Sequence, residues 1–401
     1  MKIGILREGK VPPDKRVPFS PPQCKTIKHR FGAEVVVQTS AHRAFTDDEY
    51  REAGIAIVDD VADCDVLMGV KEVPLPMVIP HKTYLFFSHT FKKQPHNRGL
   101  LQAALDKNIR LIDYELLTDS SGGRLVAFGR YAGVVGAFKA LRGWGLLHNL
   151  FDLKPAHRCR DRAEMDGELD QVEFDRPIKI VLSGKGRVAH GAREVLDRAG
   201  IIRVSPAAFL SQRFSQSVYT DLAPLEYNRK KDGTVTKGTE FYDHPELYES
   251  AFAEYTHVAD IYIACHFWDR KAPVLIAAED YRHPDFNIKM IADVSCDLNG
   301  PIASTLRTSI IEDPFYAYDP KTETEVPFGT PGSVGVMAVD NLPCELPRDA
   351  SVDFGHALIE KVLPHFFNDD EEDVLARATE TEGGSLTERY AYLQDFVDQP
   401  V

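Results

Sequence analysis

The chain has 401 residues, enough for two domains with cores of their own. Its 43% hydrophobic and 27% charged residues are ordinary for a folded protein in water, and its formal charge of -14 argues against nucleic-acid or anionic-membrane partners, which need a basic face. No apolar run is long enough to span a bilayer, the opening MKIGILRE patterns as a strand rather than a secretion signal, and the six cysteines are scattered without a C-x-x-C pair, so the expectation is a cytoplasmic protein with reduced thiols, no disulfide and no metal site.

The first segment alternates strands and helices. Strands are predicted at Lys2–Leu6, Ala33–Gln38, Val66–Val70, Tyr84–Ser88 and Arg110–Ile112. Helices are predicted at Pro21–Phe31, at Thr46–Gly54 behind a Thr cap followed three residues later by Glu49, and at about Pro95–Lys107. Such alternation implies a doubly wound parallel sheet, whose ligands lie beyond the carboxyl ends of its strands. Three polar clusters fall at such ends: Lys71-Glu72, His89 through Lys93, and Asp113-Tyr114-Glu115. Each alone also reads as a solvated loop, but their coincidence at neighbouring strand ends points to a site.

Arg124 to Leu147 reads as a strand or loop entering a long Gly- and Ala-rich helix, the expected interdomain connection. Asp152 to Arg176 is charged and is expected to be a mobile surface excursion. Ile178 to Gly200, IKIVLSGKGRVAHGAREVLDRAG, is a buried strand, a glycine turn and a helix over Val188–Ala199. Strand, glycine turn and helix form the context for a dinucleotide site, because glycine lets the backbone approach a pyrophosphate and the helix start offers free N–H groups. The spacing is G-x-G-x(4)-G, looser than the usual fingerprint, so an ordinary strand-to-helix turn stays open at this point. Ile201–Val204 is predicted as the second strand, Thr220–Glu249 as an insertion with a hairpin-like turn, and Asp260–Ala264 and Lys289–Ala292 as later buried strands. Phe328–Met337 reads as a Gly-rich turn into helical sequence, and Asp353–Phe367 and Ser385–Phe396 as amphipathic helices.

Several stretches together resemble a known family. They are LREGKVPPDKRVPFSP, GVKEVP, KTYLFFSHTFKKQ, IRLIDYELL, GGRLVAFGRYAGVVG, the glycine turn, FYDHPELYESAF, ADVSCDLNGPI and VMAVDNLPCELPRDAS, spread over nearly the whole chain. The chain resembles the lysine-forming saccharopine dehydrogenases and the lysine–oxoglutarate reductase domain of the bifunctional aminoadipic semialdehyde synthases, within a wider group that includes alanine dehydrogenase and transhydrogenase. The resemblance implies an α/β fold of two Rossmann-like doubly wound domains with an interdomain cleft. The expected division is residues 1–135 with 330–401 for substrate and 136–329 for dinucleotide.

The resemblance also implies a reaction, the reversible NAD- or NADP-dependent cleavage of saccharopine to L-lysine and 2-oxoglutarate, with Lys71 and His89 sharing the proton transfers. Arg16, Lys92 and Arg124 match positions that hold substrate carboxylates, and Glu72 and Glu115 match positions facing the lysine ammonium or tuning Lys71. The expected cofactor residues are Ser183, Gly184, Gly186, Arg187, Val188, Gly191, Ser205 and Cys265, with Asp293 and Asn341 further along. The predicted second strand ends in Ser205 and Pro206 with no acid for an NAD ribose, which leans towards NADP tolerance, with Arg203 or Arg213 placed to meet a 2'-phosphate. An alanine- or opine-type dehydrogenase and a non-catalytic dinucleotide-binding regulator are the alternatives. The direction of the reaction and the oligomeric state are not legible.

Overall fold

The computed structural model describes residues 1–9, 14–236 and 239–399. Lys10 to Pro13 of the first motif, and Lys237 and Gly238 of the expected insertion, lie outside the described residues. The first strands are β1 (Lys2–Ile5), β2 (Glu34–Gln38), β3 (Ala56–Val58), β4 (Val66–Met68), β5 (Thr83–Phe86) and β6 (Arg110–Asp113). Next come β7 (Lys179–Ser183), β8 (Ile202–Arg203), β9 (Val218–Leu222), β10 (Asn228–Lys230), β11 (Tyr248–Ser250), β12 (Ile261–Ala264) and β13 (Met290–Asp293). The chain closes with β14 (Phe315–Asp319), β15 (Thr324–Val326), β16 (Val334–Met337), β17 (Thr379–Glu382) and β18 (Ser385–Leu386).

The chain forms two compact units, Met1–Phe128 with Pro347–Val401, and Gly129–Leu346. Each holds an eight-stranded sheet. In the first the order is β18-β17-β6-β5-β4-β1-β2-β3, with all strands running one way except β17, which pairs antiparallel with both β6 and β18. In the second it is β15-β14-β16-β13-β12-β7-β9-β8, with all strands running one way except β14, which pairs antiparallel with both β16 and β15. This is the expected α/β class. The central strands are apolar on both faces, as parallel strands covered by helices must be: Ile3, Ile5, Leu67 and Leu85 in the first unit and Ile180, Val181, Ile263 and Ile291 in the second are fully buried. The observed division differs from the expected 135/136 and 329/330 borders because the helix Gly129–His148 and β16 both belong to the second unit.

Local signals explain much of this. Thr46 caps the helix Asp47–Glu52, accepting the Glu49 N–H while Glu49 returns a bond to the Thr46 N–H. Gly32 closes the helix Pro21–Phe31 in the left-handed conformation, at φ 65°. The helix Gly129–His148 is glycine-rich for a steric reason. A Cβ on Gly133 would lie 1.8 Å from the Val188 carbonyl oxygen, and one on Gly191 would lie 1.9 Å from that of Arg130. The two helices therefore touch backbone to backbone, which only glycine permits.

Three predicted elements differ, and two strands are not predicted. Residues 152–176 form a packed segment, not a loose excursion: the helix Arg162–Glu168 is flanked by single 3-10 turns, and Leu153, Ala156, Met165 and Leu169 are buried. The stretch up to Met337 ends in the fully buried strand β16, which a run of glycines disguises as a turn. Residues 385–396 are the edge strand β18 followed by a 3-10 helix and one α-turn, and the strand β17 before them, paired between β18 and β6, is not predicted. The short strand β3 also escaped detection.

The helix contact makes a direct prediction. Gly133→Ala or Gly191→Ala must push the helices apart, and should destabilise the chain by at least the ~1–3 kcal/mol typical of overpacking. Urea unfolding measures this, and wild-type stability in both variants would contradict the backbone contact.

Candidate functional site

In the first unit the loops leaving β4, β5 and β6 converge. The His89 imidazole stands between two carboxylates, with Nδ1 3.3 Å from Glu72 Oε1 and Nε2 3.4 Å from Glu115 Oε2. Glu115 also takes Lys92 Nζ at 2.8 Å and Arg124 Nη1 at 3.4 Å. Burial works to raise the Glu115 carboxyl, but the Lys92 hydrogen bond and the charges of Arg124, Lys92 and His89 outweigh it and hold it below the usual range. Lys92 and Arg124 keep 38% and 41% of their side chains exposed, so they remain accessible to a soluble anion. His89 itself adopts a left-handed backbone, φ 56°, which turns its ring out of the strand direction.

Lys71 is positioned from behind. Glu8, just past β1, accepts the Val70 N–H at 2.6 Å and the Lys71 N–H at 2.9 Å. Burial pushes the Glu8 carboxyl up to about 7 in spite of these bonds. The positive charge of Lys71 is felt at Asp14, where burial is overcome chiefly by Arg16 and the carboxyl is held down at about 2. Arg16 is the one expected carboxylate binder that is not open. It is 3% exposed, paired with Asp14 through Nε at 3.0 Å and Nη2 at 2.6 Å, and lies 4.2 Å over the Phe128 ring. Glu72, His89, Lys92, Glu115 and Arg124 thus share one rim, while Lys71, next to Glu72 in the chain, places its charge near the buried Asp14–Arg16 pair.

In the second unit a cavity of about 720 Å³ opens beyond the carboxyl ends of β7, β9 and β12. Gly184 to Val188 form one wall, Pro224 and Tyr227 another, Cys265 to Asp269 a third, and Phe241 and Tyr242 contribute aromatic surface. Gly184 needs its glycine, since φ is 95° and a Cβ would meet the Cys265 carbonyl oxygen at 2.8 Å. Gly186 faces open space at the start of the helix Arg187–Arg198. Backbone at an open helix start, glycine where a side chain would intrude, and aromatic walls suit a dinucleotide's pyrophosphate and base.

The other expected cofactor residues divide. Arg187, Val188 and Cys265 line the cavity. Gly191 instead serves the helix contact described above. Ser183 is fully buried and points inward, its Oγ 2.8 Å from Tyr262 Oη and 2.7 Å from His266 Nδ1. Asp293 is fully buried and organises the turn after β13, accepting from Ser295 and Cys296 N–H and from Thr305 Oγ1. Asn341 stands at the start of a 3-10 helix after β16.

The second-strand expectation is corrected. β9, not β8, pairs with β7, because β8 is a two-residue edge strand on the far side of β9. Ser205 therefore follows the edge strand and caps the helix Pro206–Ser211 through the Ala208 N–H. The strand beside the glycine turn does carry an acid, Asp221, but two arginines hold it. Arg203 binds it through Nε at 2.6 Å and Nη2 at 2.9 Å, and Arg193 through Nη1 at 2.8 Å. Asp221 is 2% exposed, so the cluster turns guanidinium rather than carboxylate to solvent.

Sequence reasoning also missed Glu8, Asp221 and Glu380. Glu8 follows a strand in LRE, a position open to detection, whereas Glu380 sits in a stretch with no readable element. Among the described residues one trio has metal-ligand types, His257, His283 and Asp285. The two rings stack 4.6 Å apart with planes 16° from parallel, so their lone pairs run side by side instead of converging. No described helix is long and apolar enough to cross a membrane.

Residues 4–135 match the family model for the alanine dehydrogenase/PNT N-terminal domain. The mitochondrial alpha-aminoadipic semialdehyde synthase of Mus musculus is 30% identical over 98% of this chain and 47% of its own length, and the Arabidopsis thaliana synthase is 28% identical over 98% and 41%. The chain thus spans about half the length of these relatives or less. A saccharopine dehydrogenase [NAD(+), L-lysine-forming] of Emericella nidulans is 26% identical over 90% of this chain and 91% of its own. Among solved structures, an L-alanine dehydrogenase superposes with a TM-score of 0.66 at 17% identity, over 99% of both chains, and a transhydrogenase from Sinorhizobium meliloti with 0.58 at 16%, over 96% of this chain and 99% of its own. The latter two establish the fold. Residues 4–135 thus match the alanine dehydrogenase/PNT N-terminal domain, and nearly the whole chain is similar to aminoadipic semialdehyde synthases and to a saccharopine dehydrogenase.

Proposed function

We propose that the chain is an NAD(P)-dependent oxidoreductase acting on a CH–NH donor, and specifically a lysine-forming saccharopine dehydrogenase. The observation that carries this reading is the His89 ring held between Glu72 and Glu115, with Lys92 and Arg124 on the same rim and Lys71 adjacent to Glu72 in the chain. Saccharopine is lysine joined through its side-chain nitrogen to the α carbon of glutarate. The Gly184–Val188 wall and the aromatic residues around it would hold the dinucleotide, which supplies the acceptor for the hydride that leaves that carbon.

The chain's own residues handle the protons. Lys71 takes the proton of the secondary amine as the C=N bond forms. His89 deprotonates the water that adds to that bond, and protons delivered to nitrogen let the C–N bond break, releasing lysine and 2-oxoglutarate. Glu72 and Glu115 fix the imidazole plane, and Glu72 supplies negative charge suited to an ammonium group. Lys92 and Arg124 suit the carboxylates, in Lys92 as a point charge and in Arg124 as a planar fork. Arg16, turned to Asp14, takes a supporting role in this scheme.

The cofactor's phosphate is read from the cluster at β9. Two guanidiniums share one buried carboxylate there, which favours tolerance of a 2'-phosphate over its exclusion.

Purified protein given lysine, 2-oxoglutarate and reduced nicotinamide cofactor should lose the nicotinamide absorbance. Absence of turnover with both cofactors, or turnover only with pyruvate and ammonia, sinks the assignment. Lys71→Met and His89→Gln should each lower kcat/KM by about 10²–10⁴-fold, the usual size of a general acid–base contribution. Full activity in either removes that residue from the mechanism. Arg203→Ala should lower the ratio of kcat/KM with NADPH to that with NADH by about tenfold, in keeping with a charge-assisted contact. An unchanged ratio separates Arg203 from cofactor choice.

A further inference from the structure

β17 packs antiparallel on β6 with a break in register between Thr379 and Thr381. Glu380 is the residue at the break, and such bulges commonly re-aim a side chain. Its carboxyl is fully buried, as are Ser88, Thr90 and Asp113. Ser88 Oγ lies 2.6 Å from Asp113 Oδ2, 2.7 Å from Thr90 Oγ1 and 3.0 Å from Glu380 Oε1. Thr90 Oγ1 lies 2.7 and 2.9 Å from the two oxygens of Glu380.

Counting hydrogens fixes the direction of these bonds. Asp113 also accepts the N–H groups of Ser88, His89 and Glu115, at 2.8, 2.8 and 2.7 Å. That is a carboxylate's pattern, so the Ser88 hydroxyl donates to it. With the Ser88 hydrogen committed, the contact between Ser88 and Thr90 needs the Thr90 hydrogen. None is then left for the contacts between Thr90 and Glu380; a hydrogen on Glu380 supplies that bond, and the longer 3.0 Å approach of Ser88 Oγ to Glu380 Oε1 is then a contact without a hydrogen of its own. Unlike Asp113, Glu380 receives no backbone N–H in this cluster that would favour its ionised form.

We propose that Glu380 is the protonated head of a one-way hydrogen-bond chain, Glu380 to Thr90 to Ser88 to Asp113, which fixes the turn carrying His89 and makes Glu380 a positioning residue for it. The positioning role rests on His89 acting as the acid–base group; the protonation state does not. The turn needs such support, because a non-glycine residue at φ 56° persists only where its surroundings hold it. The titratable groups facing Glu380 are Asp113 on β6, His89 beyond Asp113, and Tyr390 and Tyr392 on the 3-10 helix Glu388–Leu393. Burial first, and then the charge of Asp113, pushes the Glu380 carboxyl up to about 8. Its unfolded value is about 4.3. Folding therefore takes up a proton here, and stability contributed by this group falls as pH rises from about 4 to about 8, then levels off.

Thermal melts of the wild type, Glu380→Gln and Glu380→Leu between pH 5 and 9 test the proton without any substrate. Gln keeps the shape of the acid and donates as its neutral form does. The Tm of E380Q should therefore rise relative to the wild type as pH goes from 5 to 8, and E380L should melt below both throughout. In the lysine and 2-oxoglutarate assay at pH 7, E380L should lose at least tenfold in kcat with KM changed less than threefold, and E380Q should recover most of that loss. A wild-type pH slope retained in E380Q, or E380Q as unstable as E380L or unable to fold, overturns the proposed protonation. Activity in E380L equal to wild type overturns the positioning role. Should no variant and no wild-type sample turn over these substrates, the melts still decide the proton while the reaction assignment alone falls.

Discussion

Where a parallel strand ends, the next backbone N–H groups lose their ladder partners just as the chain turns towards a ligand. Buried carboxylates take up that demand at each of the turns that matter here. Glu8 accepts from Val70 and Lys71, Asp113 from Ser88, His89 and Glu115, and Asp293 from Ser295 and Cys296. An unmet buried donor costs ~1–3 kcal/mol, so each of these acids stabilises the turn it serves. They also aim side chains: the Glu8 bonds end on Lys71, and the Asp113 bonds end on His89. The exposed chemistry of the first unit is organised by acids that no substrate need touch.

Concentrating carboxylates in this way has an electrostatic cost, and the chain meets it differently at each place. Asp14 and Asp221 are paired with arginines, and both carboxyls lie below their ordinary range. At Glu8 and Glu380 burial prevails, at Glu8 over the nearby charge of Arg16, and pushes both towards neutrality. The result is a division between fixed charges, which orient ions at the rim, and carboxyls that act mainly as hydrogen-bonding groups below it. Arg16 and Arg203 show the other side of the arrangement. A cation that reads as a ligand contact in the sequence is held by an internal acid in the fold.

The legible parts of the chain were those with local physical causes. The capping box at Thr46, the strand and glycine turn at Ile178–Gly186, and the polar residues placed just after β4, β5 and β6 depend on neighbours a few residues away. The parts that escaped depended on distant partners. β16 reads as a glycine-rich turn because Gly335 is chosen for space beside Phe328 and Leu147, not for conformation. The segment 152–176 reads as surface because its few apolar residues are diluted by charge. β8 reads as the second strand because it follows the glycine turn and its helix in sequence, and nothing local says that β9 inserts between it and β7.

The sequence by itself determined the α/β class, the placing of the polar clusters Lys71-Glu72, His89 to Lys93 and Asp113 to Glu115 after strands, and the glycine turn, because strand ends and turn chemistry are written in adjacent residues, while Arg124 came from the family resemblance. Tertiary structure alone decided that Gly191 serves a helix contact, that Arg16 faces Asp14, that Asp221 lies beside β7, and that Glu380 reaches Ser88 and Thr90. Those facts rest on contacts between residues far apart in the chain, and in a compact fold it is strand order and burial, not spacing, that bring such residues together.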